Sequence, residues 1–178
     1  MLLILCGRSG SGKTTIERLL VERDGFKSVV SYTTRKPREG EINGVHYNFV
    51  SEEEFIKLKK EGALLEDNYL YGTYYGISAE GVEDHSNKLV AVLEYNGVVQ
   101  VQERMEAKGI EKPVVIYFDA TETVVKERIP DRLERIKDDN KMFSLKKYMP
   151  VVDVAINADR DIEATYETVK DFLRKHTK

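Results

Sequence analysis

The sequence has very few residues of the types that build disulfide frameworks and metal centres. Among 178 residues there are one cysteine, Cys6, and three histidines. A single cysteine excludes an internal disulfide, and no spacing of histidines and cysteines predicts a structural zinc site. Cys6 lies in an apolar run, where we expect it to act as a small buried hydrophobe. This composition fits a reducing, cytoplasmic environment.

Long hydrophobic runs and a large excess of one charge are also absent. The opening segment MLLILC is shorter than a signal-peptide core or a membrane span, and GRSGSGK follows it at once. The formal net charge is -3, with 33% charged residues of both signs, so no overall basic field attracts a nucleic acid polymer or an anionic membrane. We therefore expect a cytoplasmic protein that binds neither, and any anion-binding site must be local.

Short apolar runs alternate with segments of helical periodicity, which predicts an α/β fold. Five runs have the length of strands: LLILC, FKSVV, LVAVL, VVIYF and VVDVAI. Several are apolar at consecutive positions, as expected for parallel strands that are covered on both faces. The helical segments between them predict right-handed crossovers and a ligand crevice at the carboxyl ends of the strands. The content of 41% hydrophobic residues is sufficient for one compact core.

Two charged segments interrupt this alternation. Residues 31–75 are rich in Arg, Glu, Gly and Tyr, and include a capping box of Ser51 and Glu54 ahead of a short helix. Residues 126–147 are dense in basic side chains and interrupted by Pro130, which predicts a charged helical arm. The first segment is the predicted inserted lobe, and the second is a predicted arm. The remaining residues form the predicted core of a single domain: 1–30, 76–125 and 148–178.

The most specific motif is GRSGSGKTT, which lies between the first predicted strand and a predicted helix. The pattern G-x-x-x-x-G-K-[ST] is met by Gly7, Gly12, Lys13 and Thr14. Glycines let backbone N–H groups and the helix N-terminus converge on a polyphosphate, the lysine reaches its outer phosphates, and the Thr14 hydroxyl can bind Mg²⁺. A simple Gly-Ser turn requires neither the second glycine at this spacing nor the lysine. The residues predicted to bind a nucleoside triphosphate are Gly7, Ser9, Gly10, Ser11, Gly12, Lys13, Thr14 and Thr15.

A second polar cluster follows the second predicted strand, in SYTTRKPREGEINGVHYNFVS. Arg35 and Arg38 offer planar guanidinium groups that match phosphate oxygens, and the Tyr47 hydroxyl can complete such a site. Taken alone, RKPRE is as often a solvated charged turn around Pro37. The residues by themselves leave both interpretations open.

From Ser31 to Ser51 the sequence resembles the guanylate kinase family, whose pattern S-Y-T-T-R-x-P-R-x-G-E-x-x-G-x-x-Y-x-F-V-S it meets nearly residue for residue. The resemblance continues through EGALLEDNYLYGTYYG, the phosphate-binding loop and the basic arm, and so covers most of the chain. It implies a P-loop three-layer fold with a central parallel sheet, an inserted NMP-binding lobe and a short helical lid. It also implies that the protein transfers a phosphoryl group from ATP to GMP or dGMP, with Mg²⁺ bound to the ATP.

The resemblance implies a set of residues for the acceptor nucleotide. In it, Glu66 faces the base, and a carboxylate can accept hydrogen bonds from the ring N–H and the amino group of guanine. On its own, an acid within LLEDN is more often solvated. The implied GMP-binding residues are Ser31, Arg35, Arg38, Tyr47, Glu66, Tyr75, Ser78 and Glu94.

The resemblance also implies residues for the phosphoryl transfer. Lys13 and the arm arginines Arg128, Arg132 and Arg135 would neutralise charge on the transferring group. For each arm arginine, a surface ion pair with Glu127, Asp131 or Glu134 is an equally good interpretation. Asn157, in the segment VAINADRD, is implied as a contact of the ATP adenine.

Two positions depart from the family pattern. Ile77 stands where the family commonly has Ser or Thr, and Val92 stands where it has the first acid of D-I-D-x-Q-G. These departures favour an alternative, a kinase of the same fold that acts on another nucleotide or on a phosphorylated sugar. A non-catalytic interaction module is a further alternative, but the intact Lys13 and Thr14 count against it.

Overall fold

The chain forms nine strands and six α-helices within the residues that the computed structural model describes, which are 1–79, 82, 87–132 and 144–176. The strands are β1 (Leu2–Cys6), β2 (Lys27–Ser28), β3 (Tyr32–Thr33), β4 (Asn48–Phe49), β5 (Leu64–Leu70), β6 (Thr73–Ser78), β7 (Leu89–Val92), β8 (Val114–Asp119) and β9 (Val154–Asn157). The helices are α1 (Lys13–Asp24), α2 (Glu52–Lys60), α3 (Tyr95–Ala107), α4 (Glu122–Arg128), α5 (Leu145–Tyr148) and α6 (Ile162–His176).

Five of the strands form a central parallel sheet in the order β2-β7-β1-β8-β9. Strand β1 lies in the middle, all of its residues are buried, and Ile4 is paired with Ala91 on one side and Val115 on the other. A strand covered on both faces needs consecutive apolar residues, which is the pattern that predicted it. Of the predicted strand FKSVV, only Lys27–Ser28 forms a strand. It pairs with β7 at the exposed edge of the sheet.

Helices cover the two faces of this sheet and complete three layers. On one face, α3 contributes Val98, Val101 and Met105 to a cluster with Ile4. On the other face, α1 and α6 pack against alternate residues of the same strands, with Leu20, Tyr166 and Val169 in the cluster. The predicted α/β fold with a central parallel sheet is confirmed. Because successive residues of a strand point to opposite faces, each central strand contributes to both clusters.

A smaller sheet of four strands, in the order β4-β3-β6-β5, lies beside the core. Strands β5 and β6 form an antiparallel hairpin, and β3 pairs antiparallel with β6. Helix α2 precedes β5, and its predicted capping box is confirmed: the Glu54 backbone N–H donates to the Ser51 hydroxyl, and the Ser51 N–H donates to the Glu54 carboxylate. This sheet supplies one wall of the cavity described below.

The predicted basic arm begins inside a core helix. Thr121 caps the N-terminus of α4, Val125 is fully buried beneath it, and a short 3₁₀ turn follows at Pro130–Arg132. The rest of the arm up to residue 143 lies outside the described residues. Beyond it, α5 is anchored by the buried Tyr148, whose hydroxyl accepts the Tyr95 backbone N–H at 2.8 Å. No helix within the described ranges is both long and apolar enough to cross a membrane.

Candidate nucleotide-binding site

A cavity of about 790 Å³ lies at the carboxyl ends of the central strands, between the glycine-rich loop after β1 and the hairpin β5–β6. That volume is typical of sites for small ligands. The structure brings many of the predicted site residues together in its lining: Gly7, Ser9, Gly10, Gly12, Lys13, Thr14, Thr15, Ser31, Arg38, Tyr47, Glu66, Tyr75, Glu94 and Arg128.

The loop after β1 has a backbone shape that only glycine adopts without strain. Gly7, Gly10 and Gly12 have φ values of +132°, +75° and +93°, which other residues rarely adopt. At Gly7 there is also no space, since a Cβ atom would lie 2.6 Å from the carbonyl oxygen of Phe118. Gly12 precedes α1, whose first turn contains no acidic residue. The N–H groups and the positive end of the helix dipole therefore favour an anion here.

Cationic and hydroxyl groups surround this loop. The Lys13 ammonium group donates to the carbonyl oxygen of Arg8 at 2.7 Å and to the Ser11 hydroxyl at 3.4 Å. Arg128, in the last turn of α4, donates to the Arg160 carbonyl oxygen at 2.9 Å and to that of Gly10 at 3.5 Å. Both cations are thus held close to the loop, where they can meet a polyphosphate.

The hydroxyl oxygen at the loop suits a hard cation such as Mg²⁺, which takes most of its ligands from phosphate and water. The Thr14 side chain is exposed in the cavity at the start of α1. Among the described residues, no group of three or more His, Cys, Asp or Glu side chains is arranged to hold a metal. Magnesium commonly binds through one protein oxygen, phosphate oxygens and water, so the Thr14 hydroxyl fits a magnesium–nucleotide complex.

The opposite wall of the cavity is formed by one face of β5. Glu66, Asn68 and Leu70 occupy alternate positions on this strand and all line the cavity, as the period of two in a strand requires. A register shift between Leu64 and Glu66 inserts one extra residue into the pairing with β6. Such a bulge redirects side chains, and as a result Leu65 and Glu66 are both buried although they are adjacent in sequence.

Glu66 is a buried carboxylate, with 3% of its surface exposed. It accepts a hydrogen bond of 2.7 Å from the Asn68 side-chain amide and another from the backbone N–H of Ile77. Burial raises the pKa of Glu66 to about 8, helped by the nearby Asp67 and Glu94, while the two hydrogen bonds act in the opposite direction. A carboxylate in this environment gains strongly from a ligand that presents N–H donors to it.

Helix α3 holds the bulged strand in place. The Gln100 side-chain amide makes two hydrogen bonds to the backbone of Asp67, accepting its N–H at 3.2 Å and donating to its carbonyl oxygen at 3.0 Å. The Arg104 guanidinium donates to the carbonyl oxygens of Leu64 and Leu65. These contacts satisfy backbone groups at the bulge, so the position of Glu66 depends on α3 as well as on its own sheet.

The arginines of the RKPRE segment occupy different environments. The Arg35 guanidinium makes a bidentate pair with Glu41 at 2.8 and 2.9 Å and lies over the Tyr47 ring, 5.2 Å from its centroid. This pairing holds the pKa of Glu41 below its ordinary value. Arg38 lines the cavity together with Tyr47 and Tyr75, whose rings meet edge to face at 6.2 Å. The segment is therefore ordered by its own ion pair beside the cavity.

The likeness of this chain to known proteins extends over nearly its whole length. The family model described as guanylate kinase matches residues 1–176. The chain belongs to the guanylate kinase family. Among curated guanylate kinases, that of Deinococcus radiodurans is 35% identical over 176 residues, covering 91% of this chain and 71% of the relative. That of Neisseria meningitidis serogroup A is 47% identical over 116 residues, covering 60% of this chain and 55% of the relative.

A solved structure agrees with this membership. The crystal structure of guanylate kinase from Anaplasma phagocytophilum matches with a TM-score of 0.78 and 27% identity, and the match covers 99% of this chain and 85% of that one. The alignments to several other curated guanylate kinases are shorter, and the chain spans about half the length of those relatives, 55% for the Neisseria protein. The resemblance inferred from the sequence is confirmed at the level of the family.

Some residues implied by the guanylate kinase resemblance lie outside the main cavity. Ser78 lines a smaller cavity behind β3 and β6, and Ser11 is buried within the loop. Asn157 lies at the exposed end of β9, where its side chain accepts the Asp159 N–H at 2.9 Å. Arg35 is paired with Glu41 and is not among the residues that line the main cavity. None of these four residues lines the main cavity.

Two arm arginines have no described side chain. Arg132 is described only through its backbone, in the 3₁₀ turn, and Arg135 lies outside the described residues. Conversely, the cavity lining contains residues that the guanylate kinase resemblance did not supply. The period of two along β5 could have identified Asn68 and Leu70 from the position of Glu66. The additional lining residues are Asn68, Leu70, Tyr71, Val92, Leu93, Ile129, Asp161 and Ile162.

Proposed function

We propose that the protein is an ATP:GMP phosphotransferase that converts GMP, and also dGMP, to the diphosphate by direct in-line transfer. The observation that carries this proposal is a single cavity in which the phosphate-binding loop lies opposite the buried carboxylate of Glu66. The curated relatives that the chain matches carry the name guanylate kinase. The proposed location is the cytoplasm.

The donor nucleotide is proposed to bind at the loop after β1. Backbone N–H groups of this loop and the N-terminus of α1 would hold the ATP phosphates, and Lys13 would turn from the Arg8 carbonyl oxygen toward the outer phosphates. Thr14 would be the protein ligand of Mg²⁺, which neutralises phosphate charge when bound. Asn157 is the proposed contact of the adenine.

The acceptor nucleotide is proposed to bind between β5, β6 and the RKPRE segment. Guanine presents two adjacent N–H donors, and a carboxylate such as Glu66 can accept both. Adenine presents a lone pair in place of the ring N–H, which would leave the carboxylate without a donor, so discrimination of about 10⁴-fold or more is within reach. The acceptor phosphate is assigned to guanidinium and phenol groups, which suit its oxygens. The proposed GMP-binding residues are Ser31, Arg35, Arg38, Tyr47, Glu66, Tyr75, Ser78 and Glu94.

Catalysis in this proposal consists of alignment and electrostatic stabilisation, without a covalent intermediate. Aligning two bound reactants can supply roughly 7–11 kcal/mol of the barrier. Arg128 already lies against the loop, and with Lys13, Arg132 and Arg135 it would neutralise charge on the transferring group. A lobe of residues 31–75 and a lid of residues 126–147 would close on the core and exclude water, since water would otherwise accept the phosphoryl group.

The test is a coupled assay of ATP consumption with GMP, dGMP, AMP, UMP and TMP as acceptors. The proposal predicts turnover with GMP and dGMP, and turnover at least about 10²-fold lower with the other nucleotides. Turnover with another acceptor and none with GMP would overturn the assignment of the substrate. An absence of turnover with every acceptor, together with no ATP binding, would overturn the assignment as an enzyme.

A further inference from the structure

The carboxylate at the base side of the cavity has a buried side-chain partner on its own strand. Asn68 is two residues after Glu66, on the same face of β5, and 9% of its surface is exposed. Its amide nitrogen lies 2.7 Å from Glu66 Oε2, and both side chains line the cavity. An ionised carboxylate only accepts hydrogen bonds, so the amide must present its NH₂ group to it.

The wall behind this pair leaves no free space. A Cβ atom placed on Gly97, in the first turn of α3, would lie 3.0 Å from Glu66 Oε2 and 3.1 Å from Asn68 Nδ2. The pair is therefore packed directly against the backbone of α3. The last torsion of a glutamate side chain has a broad energy profile, and the contacts with α3 and Asn68 restrict the rotation of the carboxylate.

We propose that Asn68 is a positioning residue of the acceptor site, whose amide holds the Glu66 carboxylate in the orientation that receives the N–H donors of the base. The inference rests on the proposed function, because it concerns how Glu66 selects that base. A carboxylate has about four lone-pair sites, of which Asn68 and the Ile77 N–H use two. The remaining sites suffice for the paired donors of one guanine.

An amide suits this position because it donates a hydrogen bond without adding charge. A lysine or arginine at position 68 would cancel the negative charge that attracts the donors of the base, and an acid would compete with Glu66 for protons. The charged groups around Glu66 are Asp67 on its own strand, Glu94 before α3, and Arg104 on α3, which contacts the neighbouring carbonyl oxygens. Asn68 favours the ionised form of Glu66 against both acids.

The test compares the wild-type chain with Asn68→Leu, which keeps a similar volume but removes the donor. We expect kcat/KM for GMP at neutral pH to fall about tenfold, mostly through KM, with the KM for ATP unchanged. The acid limb of the pH profile of kcat/KM for GMP should move to higher pH, because the ionised form of Glu66 loses a hydrogen bond. The variant Asn68→Asp should move this limb further, since two adjacent carboxylates share one proton.

A second measurement separates this inference from the proposed function. Carboxyl carbon NMR of glutamate-labelled protein, without nucleotide, follows the titration of Glu66 directly. The pKa of Glu66 should be higher in Asn68→Leu than in the wild-type chain. An identical titration in both would overturn the inference even if GMP is a substrate. If the wild-type chain does not use GMP, the proposed function fails, while a shifted titration still shows that Asn68 acts on Glu66.

Asn48→Leu is the matched control, since it makes the same substitution within the same four-stranded sheet. The Asn48 amide donates to the carbonyl oxygen of Val30 at 3.3 Å and not to Glu66. This variant should leave both the titration of Glu66 and the acid limb at their wild-type pH. A general loosening of the sheet would lower activity in both variants without moving the limb. Equal movement of the limb in both variants would contradict a specific role for Asn68.

Discussion

The two walls of the cavity are built from different parts of the chain. The wall proposed to bind phosphate, called the phosphate-binding wall below, consists mainly of backbone, and glycines such as Gly7 and Gly12 determine its shape through their φ values. The wall proposed to bind the base, called the base-binding wall below, consists of side chains on β5, and the position of Glu66 depends on a bulge and on helix α3. One wall is therefore specified by a contiguous motif, and the other by contacts between distant segments.

The two walls also differ in electrostatic cost. Backbone N–H groups at the start of a helix attract an anion without burying any charge. Glu66 is buried, and its raised pKa reflects the cost of ionising it there. A ligand with matching N–H donors offsets that cost, and one without them does not. In the proposed function, the phosphate-binding wall would therefore supply affinity for phosphate and the base-binding wall selectivity for the base.

The largest effect is expected when the charge of Lys13 is removed and the glycine backbone of the phosphate-binding wall is left intact. Lys13→Met should lower kcat about 10²–10³-fold, because one preorganised cation is lost from the transferring phosphate. The melting temperature should change little, since Lys13 is only half-buried. Steady-state kinetics and a thermal melt check both. Arg18→Met on the same helix removes an exposed cation as the control, and an equal loss of activity there would contradict a specific role for Lys13.

On the base-binding wall, Glu66→Gln keeps the shape of the side chain and replaces one acceptor with a donor. We expect kcat/KM for GMP to fall about 10²-fold or more, because the glutamine cannot accept both N–H groups of guanine. The KM for ATP should stay within about twofold of the wild-type value, since Glu66 lies across the cavity from the loop. Initial rates with each nucleotide varied in turn measure this. An equal loss for ATP and GMP would remove the distinction between the walls.

The contact between α3 and the base-binding wall predicts a smaller effect, in which stability and binding move apart. Gly97→Ala should raise the KM for GMP about tenfold, because the new methyl group would lie 3.0 Å from Glu66 Oε2. Stability should change little, since the advantage of alanine over glycine in a helix, about 0.5–1 kcal/mol, offsets the displacement of the Glu66 carboxylate. Kinetics and urea unfolding test the two statements. Asn96→Ala, at the neighbouring exposed position, should leave the KM for GMP unchanged.

A separate prediction concerns folding rather than activity: the free energy of unfolding should depend on pH because of Glu66. Its pKa of about 8 in the folded chain exceeds the ordinary value of 4.5, so the folded state retains the proton between these values. The contribution of Glu66 to the free energy of unfolding is fully present below about pH 4.5 and is lost as the pH rises through 8. Glu66→Gln should therefore gain stability relative to the wild-type chain as the pH rises from about 4.5 to about 8, measured by urea midpoints. Parallel curves for the two proteins would contradict a buried, protonated Glu66.

The sequence predicted the glycine-rich loop after β1 because the shape of that loop is determined locally. Gly7, Gly12 and Lys13 lie within seven consecutive residues, so the φ values and the lysine belong to the motif itself. Arg128 is the exception, since it reaches the loop from α4. The strands of the central sheet were also predicted, because burial on both faces leaves a simple apolar pattern. The edge strand β2 was predicted too long, since only Lys27 and Ser28 form ladder pairs with β7.

The base-binding wall could not be predicted in the same way. By itself, Glu66 has the sequence context of a solvated acid, and its burial results from the bulge at Leu65 and from contacts with Arg104, about forty residues later in the chain. The pairing of Arg35 with Glu41 likewise depends on the turn between them. Only the family resemblance identified Glu66 as a candidate site residue. Asn68 is absent from that pattern and emerged from the geometry of the strand.

Binding of ATP and of GMP to the two variants Lys13→Met and Glu66→Gln, measured by titration calorimetry, tests most directly whether the two walls act on different nucleotides. The expected result is a crossed pattern: Lys13→Met weakens ATP and leaves GMP within about twofold of the wild-type affinity, and Glu66→Gln does the reverse. If each variant weakens both nucleotides to the same extent, the division of the cavity into a phosphate-binding and a base-binding wall is wrong.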